Sequence, residues 1–256
     1  MKKLNLLLFT LLVTTSFAYA DIISDLQTKK NNTQKAGISY TVVVPGEDDG
    51  DSPKEYTITE KENSKLFEAP EFEQQNMILA SDNKLYQIPA LLKTEKQSHI
   101  PVIALSGDAN EGIDEKMKQF KIPDYKNFKV VGKSTTNGYQ CQVLEKIISS
   151  QEIAEDKNDK FVAQDLMKVY VIEKYGYPTK IEFISISKDM KGKVLHNEVD
   201  SYMDFVKFNT NISDKIISLP KNAMVIDPLN KNAFDPNAIK YQYLQKLHEQ
   251  YRDEGN

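Results

Sequence analysis

Two carboxylates, Glu173 and Glu182, flank the corner Gly176-Tyr177-Pro178. If the flanking runs pair as one hairpin, the carboxylates can face each other across it, as the acid and base of a glycoside hydrolase do. Lys174 and Lys180 interleave with them. Opposite charges alternating along paired strands form cross-strand salt bridges on a wet face, and that is the simpler reading. His99, His196 and His248 fall into no H-x-x-x-H pattern, and no C-x-x-C is present, so no zinc site is expected. Neither a G-x-S-x-G, a P-loop nor a G-x-G-x-x-G appears. Gly46-Glu47-Asp48-Asp49-Gly50-Asp51 lacks the EF-hand spacing and reads as a solvated hairpin loop. Cys141 is the only cysteine. It alternates with polar residues in Tyr139-Gln140-Cys141-Gln142-Val143, which puts Tyr139, Cys141 and Val143 on one strand face and favours a small buried apolar residue over a reactive thiol. No catalytic residue, metal or cofactor is therefore expected, and the chain reads as a non-enzyme.

Composition narrows the partners. The first twenty residues have Lys2 and Lys3, the apolar run Leu6 to Val13, and Ala18-Tyr19-Ala20, the three parts of a cleaved secretory signal. The apolar run is too short to span a bilayer comfortably. Asp21, not Cys, follows the cleavage site, so no lipid anchor is expected there, and no later stretch is apolar and long enough to cross a membrane. A periplasmic or secreted protein is the expectation. Losing Lys2 and Lys3 moves the formal charge from −4 to −6, which argues against non-specific nucleic-acid binding. Arg252 is the sole arginine, which leaves little for bidentate phosphate or carboxylate clamps. The remaining chain is long enough for one sizeable core.

The elements that would position these groups are mostly strands. Val169 to Glu173 and Thr179 to Phe183 are rich in Val, Ile, Tyr and Phe, which suit a pleated, half-buried surface. The glycine and proline between them turn the chain. A long strand follows from Val194 to Phe208, after a turn around Asp189 to Gly192. Asn137-Gly138, between Phe128–Ser134 and Tyr139–Ile147, is a strong hairpin signal. Earlier strands are expected at Ile38–Val44, with Ile38, Tyr40, Val42 and Val44 on one face, and at Glu55–Glu60, with Tyr56 and Ile58 inward. Short strands follow near Lys65–Phe67, Asn76–Ala80, Leu85–Ile88 and Ile100–Leu105, where Pro101 points to a sheet edge. Lys215 to Pro220 is expected as the last strand, and Ser149 to Lys160 as a long loop or frayed helix. Ile22, Ile23 and Leu26 mark a short helix over Asp21 to Lys30; Ile113, Met117 and Phe120 mark another. Beyond Asp235-Pro236, the stripe Ile239, Tyr243, Leu244, Leu247 and Tyr251 predicts an amphipathic helix. The fold class is mainly β with a few helices, an α+β antiparallel meander. The expected division is a signal peptide over 1–20, one domain over 21–226, and a loop with a C-terminal helix over 227–256.

Several of these segments together resemble a known family. They are Gly132 with Gly138-Tyr139-Gln140-Cys141-Gln142-Val143, then Val169 to Glu173 with Gly176 to Ile181, then Tyr202-Met203-Asp204-Phe205, and finally Ile212-Ser213-Asp214 with Leu219-Pro220. Taken in this order, they resemble the outer-membrane lipoprotein-sorting superfamily, whose members include the LolA-like periplasmic lipoprotein carriers. The resemblance covers mainly residues 128–226. It implies a curved antiparallel half-barrel whose concave face is covered by helices and accepts acyl chains of lipoproteins or lipids. Period-2 alternation puts Val169 and Val171 on one face of their strand, and Ile181 and Phe183 on one face of the next, with Phe205 in the long later strand. By resemblance these five are the candidate lipid-binding residues. The carriers typically place an arginine and tryptophans near the cavity; here the only arginine is in the tail and tryptophan is absent, so those roles are not carried over.

Two functions follow as expectations: a periplasmic lipid- or lipoprotein-binding carrier with an apolar cavity, or a non-catalytic envelope interaction protein with the same fold and a filled interior. A hydrolase ranks last. The export expectation has a direct check. N-terminal sequencing of the exported protein should begin at Asp21, and a mature species that retains Met1 would remove the periplasmic argument.

Overall fold

A computed structural model describes residues 21–46, 50–69, 76–81, 84–89, 100–105, 117–156 and 159–226. The expected signal segment, the tip of the acidic loop, most of the expected helix around Ile113 and the expected C-terminal helix lie outside the described residues. The chain divides into two compact units, residues 1–62 with 120–212, and residues 63–119 with 213–256. Both are built mainly of antiparallel strands.

The first unit holds β1 (Ile38–Val44), β2 (Lys54–Lys61), β7 (Lys129–Thr136), β8 (Tyr139–Asp156), β9 (Asp159–Ile172), β10 (Pro178–Asp189) and β11 (Val194–Thr210). Their spatial order is β2-β1-β11-β10-β9-β8-β7, every pairing antiparallel. The second unit holds β3 (Ser64–Glu68), β4 (Asn76–Ser81), β5 (Lys84–Pro89), β6 (Ile100–Leu105) and β12 (Ala223–Ile226), ordered β12-β6-β5-β4-β3. Its core is Leu66, Leu79, Ile88, Val102 and Ile217, with Tyr86, Leu219 and Ala223 packed against them.

Alternation explains most of this. Ile38, Tyr40 and Val42 are buried, as are Tyr56 and Ile58, because period 2 sends them to one face. Asn137 and Gly138 have φ of 50° and 80°, the left-handed pair that a two-residue hairpin turn needs. The turn is also anchored: the Asn137 amide donates to the Thr179 carbonyl at 3.0 Å and to Asp204 Oδ1 at 3.1 Å.

Four expectations are corrected. Residues 21–36 are helical, a longer stretch than the apolar stripe alone marked, and the Gly37 amide closes the end by donating to the Gln34 carbonyl at 3.2 Å. Ser149 to Lys160 is not a loop or helix: β8 runs on to Asp156 and β9 starts at Asp159. Its ladder is lined by polar pairs, Ser149 donating to Asp165 at 2.5 Å, Gln164 to Ser150 at 3.3 Å, and Lys160 to Glu152 at 3.3 Å, so no apolar alternation betrays it. Lys215 to Pro220 is a run of turns, with Ile216 and Ile217 amides donating to the Ser213 and Asp214 carbonyls. The last strand is β12, which lies parallel to β6. Consequently β6 is not an edge strand. Pro101 lies beyond the β5 ladder, which covers only Ile103 to Leu105, and stands opposite Met224 in the β12 ladder.

Helix 21–36 seats on the corner between β9 and β10. Gly176 has φ of 70°, and a Cβ built there would stand 2.3 Å from the Leu26 carbonyl oxygen and 2.4 Å from the Lys30 amide nitrogen. Thr33 Oγ1 donates to the Tyr175 carbonyl, and the Tyr125 hydroxyl to the Gly176 carbonyl, both at 3.0 Å. Leu26 is buried at this contact side of the helix.

Gly138 also has positive φ, but a Cβ there would meet nothing within 4 Å. The two glycines therefore separate backbone strain from close packing. Gly138→Val should cost about 1–2 kcal/mol through φ alone, while Gly176→Ala should cost about 2 kcal/mol or more because helix and corner must part. Urea unfolding of both variants beside the parent measures this; Gly176→Ala less damaging than Gly138→Val would remove the close-approach argument.

Candidate functional site

The candidate residues fall on one face of the first unit. Register sets Val169 opposite Ile181, and Ile181 opposite Met203, as one row across β9, β10 and β11. Met167 and Phe183 form the next row. Phe205 lies two residues beyond Met203 and opposite Val42 of β1. Val171 stands opposite Pro178. The five candidates are thus on one surface, but they differ in access. Val169, Val171 and Phe205 are 0 % exposed and Ile181 2 %, while Phe183 is half-buried.

The same surface carries a polar centre that the sequence reading passed over. Glu60 is buried and accepts a hydrogen bond from the Tyr40 hydroxyl. Tyr40 is ringed by aromatics, its centroid 5.7 Å from Tyr177, 5.8 Å from Phe205 and 6.0 Å from Phe208. Burial, and then the Glu60 charge and hydrogen bond, hold the Tyr40 hydroxyl well above its ordinary range. Burial first and Glu60 second do the same to Tyr177, and burial alone to Tyr125. A signal existed: the alternation that sends Tyr56 and Ile58 inward sends Glu60 inward too.

The opposite face is charged. Lys168 pairs with Glu145 across strands at 3.1 Å, Lys180 with Glu182 along one strand at 2.8 Å, and the Tyr170 hydroxyl donates to Glu182 at 2.9 Å. Burial, then the hydrogen bond to Glu182, push Tyr170 up to about 12. The hydrogen bond to Glu182 also raises the Lys180 ammonium. Glu173 is held elsewhere, by the Gln142 amide at 2.6 Å and Lys133 at 3.2 Å. The two carboxylates therefore do not face each other: Glu182 is buried opposite Lys168 and bonded along its own strand by Lys180, not across the hairpin, while Glu173 has separate partners. Cys141 is buried, its thiol donating to the Tyr139 carbonyl at 3.3 Å, and burial pushes it up to about 11, away from nucleophilic use at neutral pH. His196 pairs with Glu198 at 3.2 Å, and among the described residues no three ligating side chains gather. No described helix is long and apolar enough to cross a membrane.

The buried tyrosines make alkaline stability a readout of this centre. Below about pH 10 a tyrosine hydroxyl is neutral in the folded and unfolded chains alike. Above it the unfolded chain ionises while Tyr40, Tyr125 and Tyr177 resist, so stability falls as pH rises. A tyrosinate absorbance titration should leave a buried fraction silent until circular dichroism reports unfolding. Full titration of every tyrosine in the still-folded chain would contradict the burial.

No family model and no curated protein matches the chain. Solved structures do. It is similar to an uncharacterized conserved protein from Thermus thermophilus at 12 % identity, over 80 % of this chain and 98 % of that one, TM-score 0.40. It is similar to the MucA/MucB complex structure from Pseudomonas aeruginosa at 11 % identity, over 80 % of this chain and 63 % of that one, TM-score 0.36. The solved structures similar to it also include a LolA superfamily protein from Nitrosomonas europaea, at 13 % identity over 75 % of this chain and 96 % of that one, TM-score 0.26.

Proposed function

We propose that the chain is a periplasmic, non-catalytic lipid- or lipoprotein-binding protein of the carrier type. Its acyl ligand would lie along the face that carries Val169, Val171, Ile181, Phe183 and Phe205. Support comes from one observation: pairing register gathers these apolar side chains on a single face of β9, β10 and β11, and that face continues into the half-buried Met167, Phe183 and Met203. Burying an acyl chain is favourable by about 0.8 kcal/mol per methylene before ordering costs. Phe183 and the two methionines are where such a chain would first touch, and methionine adapts its shape to a flexible ligand. The expected half-barrel, the covered concave face and the export to the periplasm belong to this same reading, as does the division into signal segment, 21–226 domain and C-terminal helix.

A second reading also has an observation behind it. Val169, Val171, Ile181 and Phe205 have at most 2 % of their surface exposed, which is how a filled core looks. In that case the protein is an envelope interaction protein without a cavity, and these four residues only hold the sheet together.

Phe183→Asp distinguishes the two. A carboxylate placed against the acyl path is costly to bury unpaired. A variant that folds normally by circular dichroism but no longer takes up a fluorescent fatty acid supports the carrier. A variant that unfolds supports the filled core. If the parent protein binds no fatty acid, phospholipid or lipoprotein, the carrier reading falls.

A further inference from the structure

The turn between β10 and β11 combines side chains that do not belong together on a merely solvated hairpin. Met190 is 57 % exposed, Val194 49 % and Leu195 58 %, three large apolar groups within six residues of chain. Lys191 and Lys193 are exposed among them, and Lys188 stands at the end of β10. Lys188 reaches Gln164 at 3.1 Å; among the described residues neither Lys191 nor Lys193 forms an ion pair with a carboxylate.

The turn that presents them is firmly built. The Asp189 amide donates to the Lys193 carbonyl and the Gly192 amide to the Asp189 carbonyl, both at 2.9 Å. The Asp189 carboxylate turns inward and accepts the amides of Lys191 and Lys193 at 2.9 and 2.8 Å. The one acid of the turn is thereby occupied by backbone, and the outward surface is left apolar and cationic. Exposed apolar groups of this size on a rigid tip cost solvation unless something covers them.

We propose that this tip docks on an anionic lipid surface, with Met190, Val194 and Leu195 entering the headgroup boundary and Lys188, Lys191 and Lys193 meeting the lipid charge. The chemistry fits both halves of such a surface. Apolar side chains gain from the acyl boundary, and lysine stems lie along it while their ammonium groups stay with phosphate. Cationic side chains beside an anionic leaflet add attraction that falls off within a Debye length. The amides of Asp189, Lys191, Gly192 and Lys193 are paired inside the turn, so what it offers outward is apolar area and lysine charge rather than a strand edge on which a protein chain would pair. The proposal does not depend on an acyl chain being carried, so it goes beyond the function proposed above and can fail separately from it.

The test is sedimentation of the full exported chain with vesicles of phosphatidylglycerol and phosphatidylcholine, compared with vesicles of phosphatidylcholine alone. The expected result is at least tenfold stronger binding to the anionic vesicles, weakened severalfold by added salt. Met190→Asp and the double variant Lys191→Glu/Lys193→Glu should each lose about tenfold or more, while Met190→Leu binds as the parent does. Circular dichroism of each variant keeps misfolding apart from lost docking, because all three positions are exposed. No binding by the parent, or equal binding by parent and both charge-altered variants, overturns the proposal. Fatty-acid uptake measured on the same Met190→Asp protein should be unchanged, so loss of docking and loss of ligand binding are read independently.

Discussion

The contact on which the first unit depends is the approach of helix 21–36 to the Gly176 corner. With a Cβ only 2.3 Å from the Leu26 carbonyl, no other residue fits without moving the helix. The corner is where β9 hands over to β10, and its hydrogen bonds are tight: Gly176 donates to the Ile172 carbonyl at 2.9 Å and Ile172 to the Tyr177 carbonyl at 2.8 Å. Tyr125, in a short 3-10 turn over Tyr125–Asn127, and Thr33 of the helix then each bind one of the corner's carbonyls. One small residue thus sets the helix position, and with it the placing of Tyr177 against Tyr40.

From that contact the buried centre follows. Tyr177 leaves the corner into the aromatic group that surrounds the Tyr40–Glu60 hydrogen bond. A buried carboxylate without a donor would be expensive, so the tyrosine hydroxyl and the residues that keep it in place form one unit. Thr179, fully buried, adds a hydroxyl donated to the Phe205 carbonyl at 3.0 Å. Polar satisfaction and apolar packing therefore share the same few positions, which is why the candidate ligand face and the structural centre cannot be mapped to separate parts of the sheet.

Strand alternation made the half of the fold with one buried face legible. Ile38-Tyr40-Val42, Tyr56-Ile58, and Val169-Val171 with Ile181 could be placed inward from residue type alone, and the Asn137-Gly138 turn from its φ requirement. What type could not give was depth: nothing in the pattern tells a side chain at 0 % exposure, such as Val169, from a half-buried one such as Phe183, since that depends on what arrives from the helix and from β1. Glu60 was missed because a charged residue at a strand end is ordinarily solvated. The 213–218 turns were missed because Ile216 and Ile217 carry strand propensity while Ser213 and Asp214 bend the backbone locally. Their side-by-side isoleucines part company, Ile217 buried in the second core and Ile216 45 % exposed.

The distal parts of β8, β9 and β10 were hidden for a different reason, although β11 beside them was expected over nearly its whole length. Pairing there puts Ile147, Leu166, Ile184 and Val199 in one row on the face that nearer the corner carries Lys168, Lys180 and Glu182. The face that nearer the corner carries Val169 and Ile181 turns polar, with Ser149 and Ser185 on Asp165, and Ser185 also on Asp200 at 2.6 Å. Register irregularities at Phe183/Ile184 and Ile147/Ser149 mark the crossover. A bulge adds a residue to one strand and so shifts its alternation relative to its neighbour. The central residues of the row, Leu166 and Ile184, are 9 % and 5 % exposed, while Ile147 and Val199 at its ends are 50 % and 47 %. The centre of the apolar row is therefore buried, and its ends are left to water. A period-2 reading that assumes one inward face from end to end sees such a segment as loop, because polar residues appear wherever it expects the core.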